Sequence, residues 1–320
     1  NVTINNSTSA NGDFTVGGNW INNATFSSSN SDNITFNGSS SQSFSGTGTN
    51  NFKNITLNNS NGITLSSGDI LIEESLESSS GSITQDGANI TLQSNVANKA
   101  GLIKINNSSD FTYNSGTFLV QRYFSTSNNN WRMVSSPIEN ASLNDWHDEF
   151  VYCGFTGADF SLAACAGFVS VYFYDETAAT DLDPDDGLTP ATNITNNVSD
   201  GIGTLIYASS GATTLSVSGS PEFDGFTKSI SKSSVDNDRG WNLIANPYPS
   251  TLDWSQFYSD NSTLLEDGFH VFNETSSSYD SYSVADNIDI AHSQSFWIKK
   301  TSVGSSNISF DVSQTINSQA

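Results

Sequence analysis

Basic side chains are scarce in this sequence, and that scarcity limits its possible partners. Ten Lys and Arg residues stand against 33 Asp and Glu residues, which gives a formal net charge of −23 at pH 7. A surface of this sign repels phosphate backbones and anionic lipid headgroups. We therefore expect no nucleic-acid partner, and we attribute the acidity first to solubility in a salty medium and second to binding of divalent cations.

Long apolar runs are also missing. No run approaches the ~20 residues that are needed to span a bilayer, so we expect no membrane insertion. The sequence begins at Asn1, with no methionine and no signal peptide, as a mature or excised product does.

Only two cysteines occur, Cys153 and Cys165. The loop between them contains two glycines and is short enough to close without strain, and in an oxidising compartment a disulfide is the default. A structural zinc site needs more Cys and His ligands than this chain groups together. We therefore predict a Cys153–Cys165 disulfide.

What the chain does have is Ser, Thr, Asn and Gly in place of charged residues, and many aromatic side chains. Charged residues make up 13% of the chain, while 20 Phe, 10 Tyr and 6 Trp can build a core from few positions. This composition favours turn-rich β structure over helices, so we predict an all-β protein.

Residues 1–117 predict a β-solenoid. An Ile-Thr-apolar triplet recurs there at spacings of about 20 residues, as stacked coils of a solenoid require. The triplets begin at Ile34, Ile55, Ile63 and Ile90, with a partial copy at Ile83. An antiparallel sandwich is the alternative, but it needs longer alternating runs than this segment contains.

Residues 118–320 predict a β-sandwich region built from two repeats, about 118–220 and 221–320. The stretch Gly240–Trp254, GWNLIANPYPSTLDW, has a degraded copy at Trp131–Trp146, WRMVSSPIENASLNDW. In both copies a tryptophan strand ends at a proline turn, and an aromatic strand and further strands follow. One helical turn is expected at Leu252–Tyr258, capped by Thr251.

These segments resemble a known family. GWNLIANPYPSTLDW, WRMVSSPI and SQSFWIKK resemble the non-catalytic region near the C-terminus of large secreted Bacteroidetes proteins that use the type IX secretion system. FTVGGNWINNATF, ITFNG and FKNITLNNSNGITL are similar to the repeats that often precede that region. The resemblance implies an extracellular, cell-surface or released protein and implies no chemistry.

The resemblance also sets an expectation for the end of the chain. Family members usually finish in a sorting domain, whereas this sequence stops at Ala320 without one. We expect that such a domain was cleaved during export or that the sequence is a piece of a longer polypeptide.

One acidic loop is a candidate structural calcium site. Alternating carboxylates with a turn glycine can wrap oxygen ligands around Ca²⁺, and the candidate ligands are Asp181, Asp183, Asp185 and Asp186. The match to an EF-hand loop is imperfect, because Pro184 stiffens the middle and Gly187 comes one residue late. A solvated acidic loop is the alternative, and Asp236–Asp238 is a weaker version of the same pattern.

Aromatic residues are the other potential source of binding, because sugar rings stack on exposed rings. Exposure is plausible for those in loop-like contexts: Trp20, Tyr248, Tyr258, Tyr279 and Tyr282, although Tyr248 between two prolines also suits a packed corner. Strand positions predict a core role for Trp131, Trp241 and Trp297. The three histidines, His147, His270 and His292, lie in unrelated contexts and indicate no catalyst.

The sequence therefore predicts a non-enzymatic extracellular surface or fibre protein that acts in adhesion or assembly, with self-association or surface glycans as its partners. The alternative is a carbohydrate-binding accessory module of a secreted polysaccharide-degrading enzyme. A hydrolase or lyase with its site on the solenoid is third, because residues 1–118 lack the basic cluster that would neutralise a uronate substrate.

Overall fold

The computed structural model describes residues 1–29, 31–95, 100–126, 130–178, 184–208 and 211–318, and at Pro184 and Asp185 it describes the backbone alone. Within these residues no helix is both long and apolar enough to cross a bilayer.

The N-terminal part is a parallel β-solenoid with three strands to a turn. Its strands are β1 Val2–Ile4, β2 Thr8–Ala10, β3 Phe14–Val16, β4 Trp20–Asn22, β5 Thr25–Ser28, β6 Asn33–Phe36, β7 Gln42–Ser45, β8 Thr49–Asn58, β9 Ile63–Leu65, β10 Asp69–Ser80, β11 Ile83–Asp86, β12 Asn89–Leu92, β13 Leu102–Lys104, β14 Phe111–Ser115 and β15 Phe118–Phe124. One face has the order β1-β4-β7-β9-β11-β14, and a second runs β2-β5-β8-β10-β12-β15. On the third face, β3, β6 and β13 pair beside the later halves of β8 and β10.

The predicted 20-residue recurrence is the register of these sheets. Ile34 of β6 pairs with Ile55 of β8, and Ile55 pairs in turn with Leu76 of β10. On another face, Ile63 pairs with Ile83. All five side chains are buried, so each coil stacks an apolar residue on its neighbour. The solenoid prediction is confirmed, and the antiparallel sandwich is excluded for this segment.

Neighbouring coils approach each other closely at a solenoid corner, and Gly46 shows why glycine is needed there. Gly46 has φ +123°, and a Cβ there would lie 1.9 Å from the carbonyl oxygen of Asn22 in the preceding turn. Only a residue without a side chain fits such a corner.

The C-terminal part contains two copies of one strand arrangement and a single α-helix among the described residues. Its elements are β16 Trp131–Val134, β17 Val171–Tyr174, β18 Leu188–Pro190, β19 Thr204–Tyr207, β20 Thr213–Ser218, β21 Phe226–Lys232, β22 Trp241–Ala245, β23 Thr251–Leu252, α1 Trp254–Asn261, β24 Leu265–Asn273, β25 Ser278–Tyr282, β26 Ser295–Lys300, β27 Gly304–Phe310 and β28 Thr315–Ile316. Short 3₁₀ helices lie at Ser108–Asp110, Leu143–Trp146, Glu176–Ala178, Pro184–Gly187, Val284–Asp286 and Val312–Gln314.

The two copies have the same topology, so the predicted duplication is visible in the sheets. Repeat 1 has a four-stranded sheet of order β16-β19-β17-β18, and repeat 2 has the matching order β22-β26-β24-β25. In each, the strand before the tryptophan strand pairs antiparallel with the last strand, as β15–β20 and β21–β27. Trp146 and Trp254, which end the two sequence motifs, are both buried.

The two four-stranded sheets pack on each other through a small apolar cluster. Met133 and Leu205 of repeat 1 meet Leu243 and Trp297 of repeat 2 there, and Tyr174 contacts Trp297 edge-on at 4.6 Å between ring centroids. Two isolated β-bridges join the repeats, Val134 to Gln294 and Ile202 to Ile244. Val134 occupies the position in repeat 1 that Ile244 occupies in repeat 2, and Ile202 likewise matches Gln294, so each bridge is the other with the two repeats exchanged. The repeats are therefore related by an approximate two-fold arrangement.

Each repeat also extends a glutamate into the other. Glu274, just after β24, forms an ion pair with the buried Arg132 of β16. Glu176, at the matching place after β17, accepts hydrogen bonds at 3.0 Å from the backbone N–H groups of Ser233 and Gly240. These reciprocal contacts fix the two sheets against each other.

Strand β15 belongs to the solenoid and to repeat 1 at once. It pairs in parallel with β12 on one side and antiparallel with β20 on the other. The boundary predicted between residues 117 and 118 therefore falls just before a shared strand, and one continuous sheet links the two parts.

The predicted helical turn is present, but its cap was assigned to the wrong residue. The helix begins at Trp254, and its N-cap is Asp253, whose carboxylate accepts a hydrogen bond from the N–H of Gln256 at 3.0 Å. Thr251 instead lies in β23, paired with β28, and its hydroxyl donates to the carbonyl of Ser318. Aspartate is also the stronger N-cap, because its carboxylate accepts from the free N–H groups of the first turn.

Candidate functional site

The predicted calcium loop lies mostly outside the described residues. Asp181 and Asp183 fall in an undescribed segment, and of Asp185 only the backbone is described. Asp186 is exposed and stands near the end of the 3₁₀ helix Pro184–Gly187. The calcium assignment for this loop therefore stays a prediction.

The aromatic residues singled out in the sequence differ in how far they are buried. The expectation of exposure was wrong for Trp20, which is fully buried because it lies at the centre of the solenoid core. Tyr248 is also fully buried, so the packed-corner interpretation is confirmed. Tyr279 is 49% exposed, while Tyr258 and Tyr282 are half-buried. Of the strand tryptophans predicted to be core, Trp297 is buried, and Trp131 and Trp241 are half-buried beside the inter-repeat cluster.

The three histidines lie in three different environments. The Nε2 atom of His147 lies 3.1 Å from a carboxylate oxygen of Asp159, and the ring of His270 stands edge-on to Trp241 at 4.9 Å between centroids. His292 is buried, and burial, followed by the charge of Arg122, lowers its pKa to about 3. His292 is thus neutral at physiological pH and belongs to the core.

The most distinctive feature of the surface is a loop in repeat 1 closed by a disulfide. Cys153 is bonded to Cys165, with 6.2 Å between their Cα atoms. Residues 147–170 separate Trp146 from β17, whereas only residues 255–264 separate Trp254 from β24 in repeat 2. The loop is therefore an insertion that repeat 2 lacks.

This insertion and the edge of the repeat 1 sheet enclose a cavity of about 810 Å³, which we call the aromatic pocket. Its wall includes Asn130, Glu149, Val151, Phe160, Phe168 and Tyr207 together with both cysteines. Strand β16 lies at the sheet edge, and Tyr207 ends the neighbouring strand β19. The pocket thus forms where the inserted loop folds back beside the end of strand β19, near the edge of the repeat 1 sheet.

Two rings of the pocket wall, Phe168 and Tyr207, pack on each other and on Trp131. Phe168 and Tyr207 meet edge-to-face at 5.0 Å between centroids, and Trp131 contacts them at 6.0 and 5.2 Å. Edge-to-face packing restrains the rings, so they present a fixed apolar surface. The Asn130 amide donates to the Tyr207 hydroxyl at 2.6 Å and fixes its orientation.

Glu149 is the ionisable group in the pocket wall. One carboxylate oxygen accepts a hydrogen bond from the N–H of Ser216 at 3.0 Å, and the other is buried. Burial, and then the hydrogen bond and charge of Asp148, raises the pKa of Glu149 to about 8. At neutral pH the side chain is therefore mostly a neutral acid that is able to donate a hydrogen bond.

This raised pKa predicts a pH-dependent stability. The folded state holds the Glu149 proton more tightly than the unfolded state, so its contribution is present below pH 4.5 and is lost as pH rises towards 8. We expect Glu149→Gln to raise the melting temperature at pH 8 by about 2–4 °C, the shift that 1 kcal/mol gives in a domain of this size. At pH 4 the variant and the parent should melt together.

The comparison needs melting curves from pH 4 to 8 for the parent, Glu149→Gln and the control Asp238→Asn, which alters an exposed carboxylate. Parallel curves for parent and Glu149→Gln would contradict the assignment.

The pocket was not predicted, because most of its residues carry no local pattern. Val151 and Phe168 stand beside the apolar residues Phe150 and Val169, and nothing in the order of this irregular loop separates the exposed apolar residues from the buried ones. The available signal was the unequal length of the segment that follows the last tryptophan of each motif, which marks an insertion in the first copy.

A family model described as a domain of unknown function, DUF8693, matches residues 6–319. No curated protein and no solved structure matches the chain. The matched span includes the solenoid and both repeats, so the two parts form one unit of the family.

Proposed function

The chain thus belongs to the DUF8693 family of domains of unknown function, and we propose that it is a non-enzymatic adhesion module displayed outside the cell. The observation that supports adhesion is the concentration of exposed apolar side chains at the inserted loop. Val151, Phe160, Phe168 and Tyr207 in the pocket wall are 65%, 52%, 36% and 36% exposed, and nearby Leu162 is 48% exposed.

Grouped exposure of this kind has a cost that a lone surface residue does not have. Soluble proteins rarely leave contiguous apolar patches open to water, and the patches that persist commonly mark interaction sites. Here the disulfide and the edge-to-face rings hold the patch in one shape. A rigid patch loses little conformational entropy when a partner covers it, which favours binding.

The disulfide supports the proposed location. Disulfides persist in oxidising compartments and are rare in the cytosol, so a chain whose pocket depends on the Cys153–Cys165 bond suits the cell exterior. The resemblance to exported Bacteroidetes proteins leads to the same proposal.

The continuous sheet through β15 suits a protein that bears load. Because β15 is hydrogen-bonded to β12 and to β20, a force applied at repeat 1 passes into the solenoid through the hydrogen bonds of these strand pairs. The solenoid then acts as a stalk that carries the pocket.

Carbohydrate binding is the second candidate function, and the composition of the aromatic pocket favours it. Sugars are bound by aromatic faces combined with amide and carboxyl groups. Phe168 and Tyr207 supply partly exposed rings, and Asn130 and Glu149 supply polar groups in the same wall.

We expect the combined variant Phe160→Ser, Phe168→Ser to weaken adhesion by at least about tenfold, the effect of losing ~1.4 kcal/mol of contact at an interaction hot spot. The fold should survive, because both side chains are more than one-third exposed. The measurement is retention of the full chain on surfaces coated with extracellular protein or with polysaccharide, together with a glycan array.

The control is Tyr279→Ala, which removes an aromatic ring that is 49% exposed on repeat 2, away from the pocket. Saturable binding to one polysaccharide that the pocket variant loses supports the carbohydrate-binding function. Adhesion that the two variants reduce equally, or not at all, rules out the pocket as the adhesive site.

A further inference from the structure

A second pocket lies where the proline turn of repeat 1 meets the linker between the repeats. Its volume is about 460 Å³, and its wall includes four carboxylates, Glu139, Asp200, Glu222 and Asp224. Oxygens of Glu139, Glu222 and Asp224 all lie within 4.8 Å of one another. Two oxygens on one Ca²⁺, each at about 2.3–2.6 Å, are at most about 5 Å apart, so the three carboxylates can reach a single ion.

The backbone already holds the two segments side by side. Ile138 and Pro221 form an antiparallel bridge. The N–H of Glu139 donates to Ser220 at 2.9 Å, and the N–H of Glu222 donates to Pro137 at 3.0 Å. Glu139 and Glu222, distant in sequence, are therefore placed together by strand-like pairing, and binding an ion would need little rearrangement.

Glu222 distinguishes this cluster from ordinary surface acids. Its side chain is only 7% exposed, although it forms part of the pocket wall. One oxygen accepts a hydrogen bond from the N–H of Asp224 at 2.8 Å, and among the described residues no donor reaches the other oxygen. A buried carboxylate with an open coordination position, facing two further carboxylates, is costly unless a cation occupies the site.

No basic side chain of the described residues offsets these charges at Glu222. Burial, and then repulsion from Glu139, Asp224 and Asp200, outweighs the backbone hydrogen bond and raises the pKa of Glu222 to about 7. Lys228 donates to the backbone carbonyl of Asp200 at 3.4 Å; burial lowers its pKa to about 8, and the charge of Asp200 opposes that shift. Among the described residues, no basic side chain forms an ion pair with Glu139, Glu222 or Asp224.

We propose that Glu139, Glu222 and Asp224 bind one Ca²⁺ ion at the junction of the two repeats. An all-oxygen, irregular and partly open site suits Ca²⁺, whereas Mg²⁺ demands near-octahedral geometry. The ion ties the proline turn of repeat 1 to the linker. The ion is also linked to repeat 2 through its ligand Asp224, because the backbone carbonyl of Asp224 accepts a hydrogen bond from the Tyr248 hydroxyl at 3.2 Å.

The test is melting and calorimetric titration of the full chain at pH 8, with CaCl₂, MgCl₂ or a chelator. A hundredfold excess of Ca²⁺ over its dissociation constant should raise the melting temperature by roughly 5 °C. Glu222→Gln keeps the shape and removes the charge, so we expect Ca²⁺ affinity to fall at least about tenfold. In the chelator the same variant should melt above the parent, because a buried unpaired charge has been removed.

The matched control changes the loop predicted from sequence, as Asp181→Asn, Asp183→Asn, Asp186→Asn. Calcium binding that persists in this control and is lost in both Glu222→Gln and Glu139→Gln supports the junction site. Binding that is lost in the control and kept in Glu222→Gln overturns the site, as does a parent that gives no heat and no melting shift with Ca²⁺. An equal shift with Mg²⁺ overturns the choice of Ca²⁺.

Discussion

Replacing Trp20 with alanine is expected to destabilise the solenoid by about 3–5 kcal/mol, the usual cost of truncating a large buried aromatic side chain. Trp20 is fully buried and stacks on Phe44 at 6.0 Å between ring centroids. Phe26 and Phe52 contact it at 4.9 and 5.7 Å. Alanine would leave a cavity that these rigid neighbours cannot close by a small shift.

Loss of the indole hydrogen bond adds to the free energy of unfolding that Trp20→Ala removes. It donates to the Asn50 side chain at 3.0 Å, and the same Asn50 oxygen accepts from the Asn22 amide at 2.8 Å. Both asparagines are fully buried, so losing one donor weakens a hydrogen-bonded network inside the solenoid. Trp20→Phe separates the two contributions, because it keeps a ring and removes the N–H; its expected cost is about 1–2 kcal/mol.

Hydrogen exchange along the chain is the decisive measurement for Trp20→Ala. Each solenoid coil contacts mainly its neighbours, so exchange should accelerate in β1 to β8 and stay unchanged in β21 and β27. Tyr279→Ala, on an exposed ring, is the control and should change neither region. Uniform acceleration throughout the chain would contradict a locally stacked core.

How far the sequence predicts this fold follows from how local each signal is. The register of Ile34 on Ile55 follows from a short repeated triplet, because stacked coils place equal residues one above another. The duplicated sheets follow in the same way from the two tryptophan motifs. Because the paired strands carry the same short motif, pairing between residues distant in the chain can be predicted from the sequence.

Side-chain depth was harder to predict, and Trp20 shows why. Its flanking Gly and Asn residues are typical of loops, yet in a solenoid such residues also form the corners between three-residue strands. Polar neighbours therefore do not indicate exposure in this architecture. The buried amides of Asn22 and Asn50 make the same point.

Neither pocket follows from a local pattern. The acidic pocket joins Glu139 to Glu222 through pairing of two irregular segments, and no periodicity marks either residue. The aromatic pocket depends on an insertion in one copy, so it emerges only when the two copies are aligned and their lengths compared.

The ion pair between Arg132 and Glu274 carries the second large expected effect. Arg132 has no exposed side-chain surface, and Glu274 retains 22% exposure. Removing one partner from a buried pair costs about 3–5 kcal/mol, because the other charge is left without compensation. For Arg132→Met we expect a loss near the lower limit, about 3 kcal/mol, since water still reaches Glu274.

The pair itself adds little net stability, and a double-mutant cycle makes this visible. Burial raises the pKa of Glu274 despite the opposing charges of Arg132 and Arg122, so desolvation outweighs attraction at the carboxylate. Glu274→Gln should therefore cost less than Arg132→Met. The double variant should recover at least about 1 kcal/mol of the loss that Arg132→Met causes alone.

Urea unfolding of the parent, both single variants and the double variant gives the coupling energy between the two side chains. Glu266→Gln is the matched control, because its pair with Lys299 spans 3.7 Å and leaves Glu266 49% exposed; it should cost less than about 1 kcal/mol. Strictly additive losses for Arg132 and Glu274 would show that the pair does not join the repeats. Strong coupling would place the reciprocal glutamates among the contacts that hold the two sheets in register, since Glu176 makes the matching contact from the opposite repeat.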